Sequence, residues 1–348
     1  MLNHFKKKVF FILLSVILFL VLSYKLTKLN TYKYKNVKVL EHECACFKDE
    51  KIHLIDRNNG KFLVKINEKS YPINMQQNPI LTCNLYKSLK RGPNQKVIAY
   101  SLYGKNIRYY RLIANLTQKV KEFFPDHVMR IYHDNSIDES IKCDLECENS
   151  HVEFCNIHKL PFDNFEKEFN LNYIHSMKWR FLPIGDSFVD LFMSRDSDSM
   201  LIRRELDSVN EWIDSDNIGH IMRDHYQHDV PILGGMWSFK NIKNRTLGKE
   251  IFKLIIDENI ARKYNGNGKS PKGSDQYFLK DHVYKLINNF STIHDSFLCK
   301  TFSDSKPFPS QRIGDCFIGK VGACNETNSF RTCPIDCRPK NHPEWETC

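Results

Sequence analysis

A repeated alternation of strand-like and helix-like segments constrains this sequence more than any other feature. The first repeat reads strand, helix, strand in the segments KVIAYSLYG, YYRLIANLTQKVKEFFP and HVMRIYHD. Its middle segment has apolar residues at helical spacing and stops at Pro125, which cannot continue a helix. The second repeat follows in the segments HVEFCNI, FEKEFNLNYIHSMKWRF and FVDLFMS. Strands that alternate with helices predict an α/β fold whose sheet is mostly parallel and carries helices on both faces.

The regions that flank this alternation differ from it in composition. Val9 to Leu22 is an uncharged apolar run, and Asn58-Asn59-Gly60 is a turn signal between two alternating segments. The end of the chain loses periodicity and holds five of the twelve cysteines. We therefore divide the chain into a cytoplasmic tail (1–8), a transmembrane signal anchor (9–23), a stem (24–50), a lead-in with a β-hairpin (51–94), an α/β domain (95–302) and a disulfide-rich C-terminal tail (303–348).

The N-terminal apolar run also explains the charge of the chain. It is shorter than the roughly 20 residues that span an average bilayer, so a cleaved signal peptide and a secreted protein are an alternative to the anchor. The following sequence SYKLTKLN lacks a small-x-small cleavage site, which favours a retained single-pass anchor. Residues 1–38 hold eight lysines and no acidic residue, and the rest has 43 basic against 41 acidic residues. This distribution predicts membrane contact and argues against a nucleic-acid partner, which requires basic density on the folded surface.

The cysteines indicate an oxidising compartment. Twelve cysteines behind a secretory segment predict disulfides rather than zinc, since the Cys-x-Cys and Cys-x-x-x-Cys pairs lack a matching second half. Four glycosylation acceptors agree with this position: Asn115, Asn244, Asn289 and Asn325. We expect a type II membrane protein of the Golgi or secretory pathway with its folded part in the lumen, and the cysteine pairing stays open.

The most informative polar motif is Asp196-Ser197-Asp198, which follows the apolar strand FVDLFMS. Residues i and i+2 of an extended chain project to the same side, so the two carboxylates could share one hard divalent cation. Such a cation neutralises the charge that develops on a pyrophosphate leaving group. The spacing alone also fits a solvated turn, and it is the strand-end position that favours a metal.

Four sequence blocks in a fixed order resemble a family of glycosyltransferase-like proteins. They are WRFLPIGDSFVDLFMSRDSDSMLIRRELDSVNEW, HIMRDHYQHDVPILGGMW, SDQYFLKDHVY and HDSF, and the resemblance covers roughly residues 95–320. The family is assigned to the nucleotide-diphospho-sugar transferase (GT-A) fold, so the resemblance implies a GT-A-like, Rossmann-like catalytic domain at 95–302. It implies a fold and a nucleotide-sugar substrate more firmly than a product. This chain has His225-Tyr226 where members commonly have His-Pro.

By this resemblance, Asp196 and Asp198 hold Mn²⁺ or Mg²⁺ against the diphosphate, and the C-terminal part of the domain supplies a further ligand. We expect His294 to be that ligand, although it also fits a helix-end histidine that bonds a carbonyl. Two carboxylates and one imidazole suit manganese slightly better than magnesium.

Other residues in these blocks suit binding of a sugar nucleotide. Gly234-Gly235 either lets the backbone approach a ligand closely or forms a tight turn, and Trp237 either faces a sugar ring or fills the core. Arg180 and Arg195 suit the diphosphate, because a guanidinium binds phosphate oxygens bidentately. A surface ion pair is the alternative for each arginine.

The segment 220–228 is dense in titratable groups, namely His220, Arg223, Asp224, His225 and His228. We expect it to recognise the sugar or the acceptor, chiefly through Arg223 and His225. A solvated loop is the alternative, and the histidine spacing matches no helical zinc motif.

An enzyme that inverts the anomeric centre needs a carboxylate to deprotonate the acceptor hydroxyl. Asp275 and Asp224 are the candidates, and Gln276 beside Asp275 is a candidate substrate contact. Asp275 also fits a helix N-cap, and a retaining mechanism needs no such base.

Together these features predict a luminal, metal-dependent glycosyltransferase that moves a sugar from a nucleotide-sugar donor to a glycan or glycoprotein acceptor. A catalytically silent protein of the same fold, which binds glycans or partners, is the alternative. A metal-dependent hydrolase is a third hypothesis, for which the sequence shows no water-activating cluster. The donor, the acceptor and the stereochemistry stay open.

Overall fold

The structure, a computed structural model, describes residues 37–74, 77, 79–161, 169–265 and 273–348. The predicted cytoplasmic tail, the membrane anchor and the first part of the stem lie outside the described residues. Across those described ranges, no helix is both long enough and apolar enough to cross a membrane. The chain divides into two compact units, the first with residues 37–41 and 50–74 and the second with residues 42–49 and the described residues from 77 onward.

The first unit is a four-stranded antiparallel sheet in the order β1-β2-β3-β4. Its strands are β1 (Val37–Leu40), β2 (Ile52–Asp56), β3 (Lys61–Ile66) and β4 (Lys69–Asn74). The turn between β2 and β3 has positive φ angles at Asn58 (71°), Asn59 (53°) and Gly60 (67°). Asparagine and glycine tolerate this left-handed conformation better than other residues, which explains why the hairpin turns here.

A seven-stranded sheet with the order β11-β9-β10-β8-β5-β6-β7 forms the centre of the second unit. Neighbouring strands are parallel except β10, which is antiparallel to both β8 and β9. After β7 the chain returns past β5 to form β8, so the carboxyl ends of β5 and β8 flank a topological switch point. The strands are β5 (Gln95–Leu102), β6 (Val128–His133), β7 (Val152–Asn156), β8 (Val189–Arg195), β9 (Gly219–Arg223), β10 (Met236–Phe239) and β11 (Ser291–Asp295).

Helices connect these strands. They are α1 (Leu85–Arg91), α2 (Ile107–Phe123), α3 (Glu139–Glu148), α4 (Arg203–Asp214), α5 (Arg245–Ile256), α6 (Glu258–Lys263), α7 (Ser274–Phe278) and α8 (Lys285–Ile287). A π-helical stretch (Leu279–Tyr284) joins α7 to α8, and a long 3₁₀ segment (Ser176–Gly185) precedes β8. Shorter 3₁₀ turns lie at Ala45–Phe47, Asn288–Phe290 and Ile335–Cys337.

Hydrophobic cores cover both faces of the large sheet. In β5, Val97 and Ala99 belong to the core under α5 and the 3₁₀ segment, whereas Ile98 and Tyr100 belong to the core under α2 and α4. This split follows from the alternation of side chains along a strand. The predicted α/β fold, with a mostly parallel sheet covered on both faces, is therefore confirmed.

All twelve cysteines form disulfides. The pairs are Cys44–Cys143, Cys46–Cys147, Cys83–Cys155, Cys299–Cys337, Cys316–Cys324 and Cys333–Cys348. The first two fasten residues 44–46 to α3, and the third joins the segment before α1 to β7. The last three lie in the C-terminal region, which confirms that the tail is disulfide-rich.

We expect the Cys83→Ala/Cys155→Ala double variant to lose about 2–5 kcal/mol of unfolding free energy, because the bridge is buried and closes a long loop. The sequence separation of this pair is 72 residues, against 8 for Cys316–Cys324. Urea unfolding of both double variants checks the prediction. Since closing a short loop restricts the unfolded chain less, a larger loss from removing Cys316–Cys324 would contradict it.

Candidate active site

The acidic pair lies at the carboxyl end of β8, in the middle of the sheet. β8 ends at Arg195, and the Ser199 N–H donates to the Asp196 carbonyl at 3.4 Å, which closes a turn around Asp198. We call residues 196–199 the acidic turn. The neighbouring strand β5 ends at Leu102, so the acidic turn stands at the switch point, where sheets of this type bind ligands.

A single guanidinium joins two carboxylates beside this turn. Arg180 donates from Nη1 to Asp196 Oδ1 at 2.6 Å and from Nη2 to Asp275 Oδ2 at 2.8 Å. The side chains of Arg180 and Asp275 are buried, whereas that of Asp196 is 35% exposed. The Arg180 N–H also donates to Ser101 Oγ near the end of β5, at 3.2 Å. Arg180 thus joins the 3₁₀ segment to the end of β8 and to the start of α7. Asp275 lies inside α7 and is not its N-cap.

Two glycines occupy the space next to these charged groups. A Cβ atom at Gly234 would lie 2.0 Å from Asp275 Oδ2, and one at Gly235 would lie 2.0 Å from Asp196 Oδ2. At both positions the backbone closely approaches carboxylates of the site, and a side chain there would displace them. The predicted close approach to a ligand stays a prediction.

The carboxylates perturb one another. Burial and the nearby Asp196 carboxylate raise the pKa of Asp198, and Arg180 and Arg108 oppose this shift. Burial raises the pKa of Asp275 too; Arg180 opposes the shift and Asp196 adds to it. Carboxyl groups whose pKa is shifted by burial and by nearby charges are typical of functional sites.

The donor atoms of the acidic turn fit a hard divalent cation. Asp196 and Asp198 offer carboxylate oxygens, which Mg²⁺ and Mn²⁺ prefer. Asp196 is partly exposed, and the absence of a side chain at Gly235 leaves room for the Asp196 carboxylate itself. A bound cation would also relieve the repulsion that raises the pKa of Asp198.

His294 does not belong to this donor set, which corrects the predicted third ligand. Its Nδ1 lies 2.9 Å from His220 Nε2, and its Nε2 lies 2.8 Å from Glu211 Oε2. Both ring nitrogens are therefore engaged, and the side chain is fully buried in β11 at the edge of the sheet. His294 is a structural histidine that links β11 to β9 and α4.

Asp224 is a structural acid, which corrects its assignment as a candidate base. It is fully buried at the end of β9, and Arg204 donates to both of its oxygens at 3.0 Å. Arg312, the Ser296 hydroxyl and the Ile318 N–H donate to it as well. Burial alone would raise the pKa of Asp224, but Arg204 and Arg312 outweigh it and hold the pKa far below its ordinary value. A carboxylate in this state does not take a proton from a substrate.

The structure also corrects the roles predicted for two arginines, Arg195 and Arg223, which we expected to bind substrate. Arg195 is buried; it pairs with Glu205 and donates to the carbonyls of Ser194 and Trp237. Arg223 is fully buried and pairs with Asp295 at 2.6 Å. Arg195 does line the small cavity beside Asp196, but each guanidinium is held in an ion pair with a buried carboxylate, Glu205 or Asp295, and stabilises the fold.

Trp237 fills the core and offers no face to a sugar. Its ring is fully buried and packs edge-on against Phe181 and Phe192, with ring centroids at 5.5 and 5.1 Å. Two predicted contacts remain partly accessible. His225 stacks on Tyr226 in the loop after β9, and Gln276 follows Asp275 in α7. Their roles in binding stay predictions.

The sequence reasoning missed the loop after β5. Tyr103 is 42% exposed, packs edge-on against Trp179 at 5.9 Å and lies within electrostatic reach of Arg180. Arg108, at the start of α2, acts on Asp198 in the same way. The sequence does contain a signal for this loop. It follows a predicted strand, and the same strand-end position identified the acidic turn.

The sequence reasoning also missed the contribution of the C-terminal tail. Ile318 and Gly319 line the same small cavity as Asp196 and Gly235. No local pattern in the tail indicates this contact, because the segment has neither a helical nor a strand period. The disulfide-rich tail therefore contributes residues to the lining of the candidate site.

Comparison with known proteins gave similarities among solved structures only, since no protein-family model and no curated protein matches the chain. One similar structure is a glycosyltransferase involved in glycosylation of the major capsid of PBCV-1 (TM-score 0.34, 14% identity, 60% of this chain and 87% of that chain covered). A second is the galactosyltransferase LgtC in complex with donor and acceptor sugar analogues (TM-score 0.31, 14% identity, 57% and 73% covered). A third is the bifunctional glycosyltransferase WbbM (TM-score 0.36, 13% identity, 57% and 38% covered). All three of these solved structures are glycosyltransferases.

We expect Asp224→Asn to lower the unfolding free energy by about 3–5 kcal/mol, because it leaves two buried guanidinium groups without their anion. Guanidinium chloride unfolding measures the loss. Asp207→Asn is the matched control, since Asp207 pairs with Arg203 on the surface at 2.9 Å and such pairs contribute less than about 1 kcal/mol. Loss of activity at unchanged stability would instead restore Asp224 as a catalytic base.

We expect Gly235→Ala to weaken Mn²⁺ binding by about tenfold or more, because the methyl group would displace the Asp196 carboxylate from its position. A titration that follows the electron paramagnetic resonance signal of free Mn²⁺ gives the affinity. Gly248→Ala is the control: its Cβ would lie 2.8 Å from the Ile184 carbonyl oxygen, so it overpacks the core without touching an acid. Equal Mn²⁺ affinity in the two variants would contradict the prediction.

Proposed function

We propose that this protein is a luminal, metal-dependent glycosyltransferase of the Golgi or secretory pathway that transfers a sugar from a nucleotide-sugar donor to a glycan or glycoprotein acceptor. The observation that carries the proposal is the meeting of Asp196 and Asp198 with Arg180 and Asp275 at the switch point of the sheet. The six disulfides support an oxidising lumen. The predicted anchor at residues 9–23 would attach the protein to the membrane.

In this proposal the acidic turn binds the diphosphate of the donor through Mn²⁺ or Mg²⁺. A cation held by Asp196 and Asp198 would neutralise the charge that develops on the leaving diphosphate. Arg180 keeps the Asp196 carboxylate in a fixed orientation through the 2.6 Å hydrogen bond. Arg108 and the start of α2 lie on the β5 side, where a cation and helical N–H groups favour phosphate oxygens.

Asp275 is the candidate base if the reaction inverts the anomeric centre. The acceptor hydroxyl would give its proton to this carboxylate as its oxygen attacks the anomeric carbon and the diphosphate leaves. Burial raises the pKa of Asp275, which makes it a stronger proton acceptor, and the hydrogen bond from Arg180 holds it in place. A retaining reaction would leave Asp275 as a positioning residue for Arg180.

The ion pair between Arg180 and Asp196 also favours the second candidate, a catalytically silent protein that binds glycans or partners. The guanidinium already neutralises one carboxylate of the acidic turn without a metal. The two candidates differ in whether the acidic turn binds a cation and consumes a donor.

We expect the purified chain to hydrolyse or transfer at least one common nucleotide sugar with Mn²⁺, and EDTA to abolish this activity. Asp198→Asn should lower turnover by about 100-fold or more, because the leaving diphosphate loses its charge compensation. Release of nucleoside diphosphate, measured over a panel of nucleotide sugars, checks the prediction.

The control is the Asp214→Asn/Asp216→Asn double variant, which alters an exposed Asp-x-Asp pair of the same spacing at the end of α4. This variant should keep full activity. Turnover that survives both EDTA and the Asp198→Asn change would reject the metal site, and specific glycan binding without turnover of any donor would favour the silent protein.

A further inference from the structure

The tail segment that the Cys316–Cys324 bridge closes into a ring contacts the acidic turn directly. We call residues 316–324 the disulfide loop. The Gly322 N–H donates to the Asp198 carbonyl at 3.0 Å, and Val321 pairs with Ser199 as an antiparallel bridge. These contacts hold the backbone of the turn that carries the acidic pair.

The disulfide loop is itself firmly anchored. The Ile318 N–H donates to the buried Asp224 carboxylate at 3.0 Å, and the Ile318 side chain is buried in a small core. At its base, the Asp315 N–H donates to the Asn325 carbonyl at 3.1 Å, and the Asn325 N–H donates back to Asp315 Oδ1 at 2.6 Å. The disulfide and these two hydrogen bonds close the loop at its base and restrict the conformations of its backbone.

The disulfide loop also packs against Met236, the first residue of β10. Gly319 has a φ of +87°, and a Cβ atom there would lie 2.8 Å from the Sδ of Met236, the residue after Gly235. Gly319 and Ile318 line the cavity next to Asp196. The loop therefore contacts both the acidic turn and the first residue of β10, which follows Gly235.

We propose that the disulfide loop is a positioning element of the cation site. It holds the acidic turn so that the Asp196 and Asp198 carboxylates converge, and its closure by Cys316–Cys324 is required for tight binding of Mn²⁺. Groups that orient metal ligands without touching the metal commonly change metal affinity by 10–100-fold when they are removed. This inference rests on the proposed function, because it takes the acidic turn as the cation site.

The test measures Mn²⁺ affinity of the full chain by electron paramagnetic resonance, with Mn²⁺ alone and with Mn²⁺ and UDP. We expect the Cys316→Ala/Cys324→Ala double variant to bind Mn²⁺ about tenfold more weakly than the unaltered chain. The Cys46→Ala/Cys147→Ala double variant is the matched control. It removes a bridge of sequence separation 101 instead of 8, so it should lower the melting temperature more and leave the Mn²⁺ affinity unchanged.

A second pair of variants leaves every disulfide intact and decides the question if the first variant does not fold. Gly319→Ala would strain a backbone of φ +87° and place a methyl group against the Met236 side chain, whereas Gly60→Ala alters a glycine of similar positive φ in the separate four-stranded sheet. We expect only Gly319→Ala to weaken Mn²⁺ binding.

The outcomes separate this inference from the proposed function. Unchanged Mn²⁺ affinity in the folded loop variants would overturn the positioning role and leave the cation site standing. An equal loss in the loop variants and in their controls would reduce the loop to general stabilisation and overturn it too. No Mn²⁺ binding by the unaltered chain would reject the cation site, and the positioning role with it.

Discussion

The site depends on the burial of one guanidinium. A charge removed from water is costly unless it is paired and hydrogen-bonded, and Arg180 meets this condition with Asp196 on one side and Asp275 on the other. Both acids must therefore hold fixed positions whenever the chain is folded. The same condition explains Gly234 and Gly235, because any side chain there would enter the space that the paired carboxylates fill.

Hydrogen-bond saturation separates the structural acids of this chain from those available for chemistry. Asp224 accepts hydrogen bonds from two arginines, a hydroxyl and a backbone N–H, so its negative charge is fully compensated and its pKa is low. Asp198 has a raised pKa because burial and Asp196 both disfavour its charge. Its charge is under-compensated, and that is the state in which a carboxylate gains from a bound cation. Density of titratable residues in the sequence does not distinguish these two situations.

The fold could be predicted because apolar periodicity is a local property of the sequence, and the alternating faces of β5 follow it directly. Asp196 and Asp198 could be found because they end a buried strand. Arg195 stands one residue earlier, is the last residue of β8 and pairs with the buried Glu205. The prediction that His294 is a metal ligand was wrong because β9 and β10 separate its strand, β11, from β8. Sequence adjacency to the acidic pair says nothing about the direction of a side chain, and disulfides between residues 99 or 101 positions apart leave no local signal.

The charge balance of the site gives an independent reason to expect a divalent cation. Arg180 lies within electrostatic reach of Asp196, Asp198 and Asp275, and Asp196 lies within reach of the other two acids, so three carboxylates and one guanidinium leave a formal charge of −2. Arg108 is exposed, and solvent screens its contribution. A second buried arginine could cancel only half of the deficit, and protonation would remove the oxygen ligands. A doubly charged cation would restore neutrality and favour the ionised form of the carboxylates, and the partly exposed Asp196 would give it a path from solvent.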